Sequence, residues 1–464
     1  MILRPYQTAM TNQAREALRT HRGVLLQMPT GSGKTPTACH IIQRAVARGK
    51  NVLFLAHRAE LLKQASNKLD AFNVPHGIIR SGKHMTLSKQ VQVASVQTLV
   101  RRLDYVRFLP HLIFVDEAHL SAAPTYKKIL ATFPEAYVVG LTATPMRLDG
   151  MGLSRAEGCH FDHLITGPTF QELIDQKYLV PMRCFTAAHQ IDLSGIGAVG
   201  GDFNQGKLAA VVDKSTITGD AVSHWIRIAS GRKTLVFCVS IEHAQHVSAQ
   251  FNAAGINSVA VDGGWTDENR EGAMRDFEAG KIQVLVNCHL FIEGLDIPEV
   301  SCIVNLAPTM SVARFLQKAG RGSRPFDGKT DCIFLDHGSD IARHGLPTDE
   351  RKWSLEGRIK KKRSSKQEIP IRICPACFAA NPGGTMVCRE CGHEWAIEAR
   401  QVETIDGELV EWVRPPPGPS PARVEEWQAR TVEQLTELGR VRGYSNPAGW
   451  AHIRYQARMR KAGA

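Results

Sequence analysis

Four clusters of residues have the types and spacing to do chemistry. In LLQMPTGSGKT, residues 25–35, Gly31 and Gly33 let the backbone approach an anion closely, with Thr30 and Ser32 in the same turn. Lys34 would neutralise the β- and γ-phosphates of a nucleotide, and the Thr35 hydroxyl would bind magnesium. The general spacing G-x-x-x-x-G-K-[ST] places a glycine at position 28, where this chain has Met28. In VDEAH, Asp116 is placed to hold the magnesium through water, and Glu117 to orient and deprotonate the water attacking the γ-phosphate. In QKAGRGSR, residues 317–324, Arg321 and Arg324 are three apart and could lie together on one turn of a helix. Supplied from a second domain, they would make hydrolysis depend on domain closure, which turns ATP turnover into motion.

The fourth cluster is CPACFAANPGGTMVCRECGHEW, in which Cys374 and Cys377 form one C-x-x-C and Cys388 and Cys391 another. Four thiolates in two knuckles supply a closed tetrahedral shell for structural Zn2+, with Gly383, Gly384 and Gly392 allowing the tight turns. A segment this short draws its folding free energy from the metal, so replacing its cysteines is expected to unfold the ribbon alone. Two such pairs without a thioredoxin-like context do not suit a redox role. A structural clip and a contact to DNA are equally open as the ribbon's purpose.

These clusters need elements to position them. Val24, Leu25 and Leu26 read as a buried strand before the glycine turn, and Ala38, Ile41, Ile42, Ala45 and Val46 recur at helical spacing after it. Pro36 suits the first turn of that helix and Gly49 its end. NVLFLAH, HLIFVDEAHL and AYVVGLTATP read as further buried parallel strands, and a second series runs through TLVFCVS, SVAVDG, QVLVNC, CIVNLA and DCIFLDH. The fold class is therefore α/β, with two tandem domains built on parallel sheets. The expected organisation is a first domain over 1–168, a connection over 169–215, and a second domain over 216–345. A basic linker (346–372), the ribbon (373–398), a proline-rich linker (399–422) and a basic helical tail (423–464) follow.

Bulk properties restrict the partners. The chain has 464 residues, a formal charge of +12 and 43% hydrophobic residues, which suits packed cores and a polyanionic partner. Eleven cysteines, seven scattered and four clustered, fit a reducing compartment with one metal site better than a disulfide framework. No membrane-spanning run and no leader-like N-terminus is present, so no membrane partner and a cytoplasmic, nucleoid-associated location are expected.

RPYQ, PTGSGKT, DEAH, TATP, EGLDIP and QKAGRGSR occur in the order and spacing of superfamily 2 helicases, over about residues 1–345. The resemblance implies RecA-like domains and tolerance of Met28, since helicases of this group accept an apolar or small residue in place of the first glycine. It implies that Gln7 reads the adenine edge with Tyr6 or Arg4 in support, and that His119, Thr142 and Thr144 couple the ATP site to the nucleic-acid track. Gly294 and Asp296 would approach the nucleotide and the domain interface, while Gln317, Arg321 and Arg324 face the phosphates. Nucleic-acid contacts would come from His57, Arg58 and Gln64, from Ser95, Gln97 and Thr98, and from Ser240.

The form Q-x-x-G-R-G-x-R resembles DNA-directed members, including type III restriction motor subunits and the RadD-like repair helicases. RNA-processing members with the DEAH tetrapeptide usually read Q-R-x-G-R-A-G-R. The expected function is an ATP-dependent DNA helicase or translocase using ATP and Mg2+, acting in repair, recombination or replication on single-stranded, forked or duplex DNA. RNA is the lesser partner, and an ATP-gated duplex-remodelling factor is the alternative from another class. The tail carries six basic residues from Leu438 onward, with Trp450 and Tyr455 among them. It reads equally as a surface that stacks on bases and as a helical hairpin whose aromatics pack together. The ribbon and the tail are also candidate docking points for protein partners.

Overall fold

The computed structural model describes residues 3–357 (except 148, 187–192, 194, 200, 214, 293 and 295), 371–395, and 425–462 (except 427). The basic run at 358–366 and the proline-rich linker at 399–422 lie outside the described residues. The chain divides into two units, residues 1–396 and 397–464.

The first unit holds two parallel sheets. In the first sheet, β1 (Gly23–Gln27), β2 (Val52–Ala56), β3 (His76–Ile79), β4 (Val91–Ser95), β5 (Leu112–Val115), β6 (Tyr137–Thr142) and β7 (His163–Thr166) lie in the order 3-4-2-5-6-1-7. Strands β1, β2 and β5 are buried along their whole length, because helices cover both faces of the sheet. β8 (Met182–Thr186) is followed by a small hairpin of β9 (Ala198–Val199) and β10 (Asp202–Phe203). The second sheet continues with β11 (Thr234–Cys238), β12 (Ser258–Val261), β13 (Val284–Cys288), β14 (Cys302–Asn305) and β15 (Cys332–Asp336), in the order 12-13-11-14-15-8.

Two stretches lie differently from the expected division. β8 lies inside the stretch read as a connection, yet it is the edge strand of the second sheet, parallel to β15 from Met182–Cys332 to Thr186–Asp336. The crossing between the sheets is thus confined to residues 167–181. The start of the expected linker over 346–372 is also docked. Leu355 is buried in the core of the first domain with Leu153, Cys159 and Phe161, and its carbonyl accepts from the Leu153 and Ser154 N–H groups at 2.7 and 3.1 Å. The chain therefore returns to the first domain after completing the second.

The ribbon is not free-standing. Its strands β16 (Ile371–Ile373) and β17 (Ala380–Pro382) pair antiparallel. Cys374, Ala379 and Cys388 join the second domain's core with Phe185, Val222 and Trp225. Phe185 forms a β-bridge with Ala379, and Arg183 pairs with Glu390 at 2.5 Å. The ribbon covers the outer side of β8, an edge that would otherwise present unpaired backbone groups.

The second unit is a hairpin of two helices, Val432–Val441 and Pro447–Ala462. Thr431 and Gln434 close a capping box, and Tyr444 meets Trp450 edge-on at 5.0 Å. Arg442 pairs with Glu425 and Glu426, Arg454 with Glu426, and Arg440 with Glu437, so much of the tail's positive charge has acidic partners nearby. No helix among the described residues is long and apolar enough to cross a membrane.

Candidate functional site

The C-terminal ends of β1, β2, β5 and β6 open on one crevice, where open α/β sheets place ligands. The turn after β1 passes through Gly31 and Gly33, both in the left-handed region (φ 85° and 88°), and the helix Lys34–Val46 starts directly after it. Met28 is fully buried in the first domain's core; its N–H donates to the Thr142 carbonyl at 2.9 Å and its carbonyl accepts from Lys34 Nζ at 3.4 Å. Position 28 thus uses its backbone at the site and its side chain in the core, which is why a glycine is dispensable there.

Two carboxylates follow β5. Asp116 Oδ1 accepts from the Glu117 N–H at 3.0 Å, and Glu117 takes a left-handed conformation (φ 46°) that turns its side chain toward the crevice. Burial pushes the Asp116 carboxyl up and the neighbouring Glu117 charge adds to this, with Lys34 opposing. Burial acts upward on Glu117 as well, but the hydrogen bond from His119 and the charge of Lys34 outweigh it and hold its carboxyl low. His119 Nδ1 is 3.4 Å from Glu117 Oε2 and 3.4 Å from Thr142 Oγ1, and Thr142 Oγ1 in turn donates to the Thr144 carbonyl at 2.9 Å. Glu117, His119, Thr142 and Thr144 therefore form one buried chain of contacts. Thr35 and Asp116 offer hard oxygen donors of the kind Mg2+ prefers, so the donor set fits that ion.

The second domain completes the crevice through the helix Val312–Gly320 and the turn after it. Gln317 Nε2 donates to Glu117 Oε2 at 3.4 Å across the domain boundary. Gly320 lies against the phosphate turn so closely that a Cβ there would be 2.4 Å from that of Thr30. Arg321 caps the helix, buried, and its Nε donates to the Ile292 carbonyl at 3.0 Å. Arg324 lies beyond the helix and pairs with Asp296. The two arginines are thus not on one helical turn, because the helix ends at Gly320 and the GRGS stretch forms a turn. Both guanidiniums nevertheless bear on Lys34: burial lowers its ammonium most, Glu117 and Asp116 oppose that, and Arg321 and Arg324 add to it. Lys318, which no motif reading singled out, is buried with its three donors satisfied by Asn305 Oδ1 (2.7 Å), the Ala307 carbonyl (2.6 Å) and Asp340 (3.1 Å). It anchors the helix that carries Gln317; a lysine in a polar motif gives no sign of such burial.

The N-terminal segment reaches the phosphate turn. Gln7 Nε2 donates to the Ser32 and Gly33 carbonyls at 3.1 and 3.3 Å, and the Tyr6 hydroxyl donates to the Ser32 carbonyl. The expected nucleic-acid residues divide. His57 and Arg58 follow β2, and Ser95, Gln97 and Thr98 lie at the end of β4. Arg58 donates to the Leu290 carbonyl at 3.1 Å and Gln64 to that of Gly294, so these two residues contribute to the domain interface. Gly294 accordingly meets the helix Ala59–Ala71 at that interface. Ser240 caps the helix Ile241–Ala253, its Oγ accepting from the His243 N–H at 3.0 Å.

The four ribbon cysteines bring their Sγ atoms within 4.8 Å of one another, with Cys374–Cys391 at 3.6 Å and Cys377–Cys388 at 3.7 Å. A tetrahedron with Zn–S bonds of about 2.3 Å has edges of about 3.8 Å, so the donor set fits zinc.

Residues 1–147 match the family described as type III restriction enzyme, res subunit, and residues 218–325 match the helicase conserved C-terminal domain. The chain belongs to the superfamily 2 helicases. A 51.5 kDa protein of a Lactococcus phage (isolate 7-9) is 34% identical over 81% of this helicase and 79% of its own length. A candidate mitochondrial ATP-dependent helicase of Schizosaccharomyces pombe, irc3, is 33% identical over 75% of this helicase, and the match spans 59% of that protein. Among solved structures, a fragment of a candidate HsdR subunit of a type I restriction enzyme from Vibrio vulnificus YJ016 shares the fold, with a TM-score of 0.60 and 22% identity over 78% of this helicase and 68% of that chain. The helicase is therefore an ATP-hydrolysing, nucleic-acid-binding motor with two RecA-like domains, and its family works with ATP and Mg2+.

Proposed function

We propose that this helicase is a DNA motor that translocates on or unwinds DNA, powered by ATP hydrolysis between its two RecA-like domains. The observation that carries the reading is the contact of Gln317 with Glu117, which joins the two halves of the site across the domain boundary. Glu117 orients and deprotonates the attacking water, held ionised by His119 and Lys34. Lys34 neutralises the β- and γ-phosphates, and Thr30, Gly31, Ser32 and Gly33 cradle them. Arg321 and Arg324 stabilise the charge that builds on the γ-phosphate, so turnover requires both domains. Thr35 and Asp116 would hold Mg2+, which supplies charge neutralisation at the phosphates. His119, Thr142 and Thr144 relay the state of this site toward β2 and β4, whose ends carry His57, Ser95, Gln97 and Thr98.

DNA is favoured over RNA by the Q-x-x-G-R-G-x-R form of the arginine motif and by the restriction-type match of the first domain. The ribbon would bind Zn2+ through Cys374, Cys377, Cys388 and Cys391 and brace the second domain's edge. The deciding experiment measures the ATPase rate with single-stranded, duplex and forked DNA and with RNA in parallel. Stimulation by DNA is expected, and stimulation by RNA alone overturns the reading.

A further inference from the structure

The connection between the two domains touches the nucleotide site at three successive residues, none of them in a motif. The helix Phe170–Asp175 is capped by Thr169, whose side chain accepts from the Glu172 N–H at 3.1 Å, and the chain turns away beyond it at Lys177, in the left-handed region (φ 60°). The N–H groups of Tyr178 and Leu179 both donate to the Leu173 carbonyl, at 2.8 and 3.0 Å, which fixes the turn and the direction of Tyr178. The Arg4 guanidinium lies 4.5 Å from the centre of the Tyr178 ring, and the Tyr6 ring lies 5.4 Å from it at 58°. Arg4 also donates to the Tyr6 hydroxyl at 3.3 Å. Leu179 abuts the phosphate turn, where a Cβ on Gly31 would lie 3.1 Å from it. The Val180 N–H donates to the Ser323 carbonyl at 2.9 Å, between the two arginines.

A purine is a flat π-system, and flat partners such as a guanidinium or an aromatic ring recognise its face. Tyr178 is half-buried and belongs to none of the hydrophobic cores formed by the described residues, so packing of the domain does not account for its ring. We infer that Tyr178 is a positioning residue for the nucleobase: its ring holds Arg4 and Tyr6 beside Gln7, so that the opposite face of the Arg4 guanidinium is set for a purine to stack on. The inference rests on the reading of this crevice as an ATP site with the segment Arg4–Gln7 beside the base. It places base recognition on the connection between the domains, one residue before the leucine that abuts the phosphate turn and two before the valine that bonds to the arginine motif.

The test uses the full chain and two probes, ADP and inorganic tripolyphosphate, each with Mg2+. Tyr178→Ala is expected to weaken ADP binding about tenfold, the range of a lost cation–π contact, while tripolyphosphate binding stays within about twofold. Tyr178→Phe keeps the ring and should restore ADP affinity. In turnover, Tyr178→Ala should raise KM for ATP by the same factor and leave kcat within about twofold. Equal weakening of both probes would mean that Tyr178 acts only through the phosphate turn, and unchanged ADP affinity would mean that it does not act on the base; either overturns the inference. Gln7→Ala, measured beside it, separates the two readings. Selective loss of ADP in Tyr178→Ala but not in Gln7→Ala supports the inference and removes Gln7 as the reader, whereas the reverse removes Tyr178.

Discussion

Residues carry the chemistry unequally, and their environments say which substitution should do what. Lys34 and Glu117 meet the same nucleotide but at different stages. Lys34→Ala should abolish turnover by removing phosphate neutralisation, whereas Glu117→Gln should bind ATP normally and stall before hydrolysis, because the carboxylate acts on the water. Filter binding of ATP beside single-turnover hydrolysis checks this; a Glu117→Gln chain that hydrolyses at the wild-type rate removes Glu117 as the base. Arg324 is held by Asp296 on a turn outside the helix, so its loss leaves the helix intact. Arg324→Ala should reduce kcat by roughly 10³ with ADP affinity within a few-fold, the mark of a charge that acts in the transition state. A loss confined to nucleotide affinity would show that Arg324 does not reach the reacting phosphate. At this scale the sequence was legible where a motif fixes both residue type and spacing, as for Lys34, Asp116 and the four cysteines. It was illegible for Tyr178 and Lys318, whose surroundings come from other elements of the fold and leave no local pattern.

Elements were legible where apolar runs are long. All the strands read from such runs are present, while β8 was absorbed into a connection, since MRCFT mixes a cation and a polar end with only a short apolar middle. Nor does a single Leu355 in a polar stretch reveal that it closes a core. The ribbon is the element where this matters most for function. Read from sequence it should unfold alone, but Cys374 and Cys388 share a core with Phe185 and Trp225 and the ribbon lies along β8. Zinc removal by a chelator should therefore lower the melting temperature of the second domain and speed amide exchange across residues 182–186. Measured by hydrogen exchange, unchanged protection of β8 after zinc loss would mean that the ribbon is an appendage and not a brace.

The whole molecule shows where its charge resides, and this decides which part grips a polyanion. The unit 397–464 has 10 Lys and Arg against 9 Asp and Glu, so of the formal +12 almost all belongs to residues 1–396. Within the tail, Arg440, Arg442 and Arg454 face glutamates, which lowers the charge available to phosphates still further. The densest basic run is RIKKKRSSK, at 358–366, between the segment whose Leu355 docks on the first domain and the ribbon that docks on the second. Each phosphate neutralised contributes about 0.9 to the slope of log K against log salt on duplex DNA. Replacing Lys360, Lys361, Lys362 and Arg363 by alanine should make that slope shallower by up to about 3.6, if all four meet phosphates, while deletion of 397–464 should change it by less than about one. Titrations of the full chain and both variants from low to moderate salt decide the matter. A large change on deleting the tail, with none on neutralising the run, would place the phosphate grip in the helical hairpin and restore the base-stacking reading of Trp450 and Tyr455.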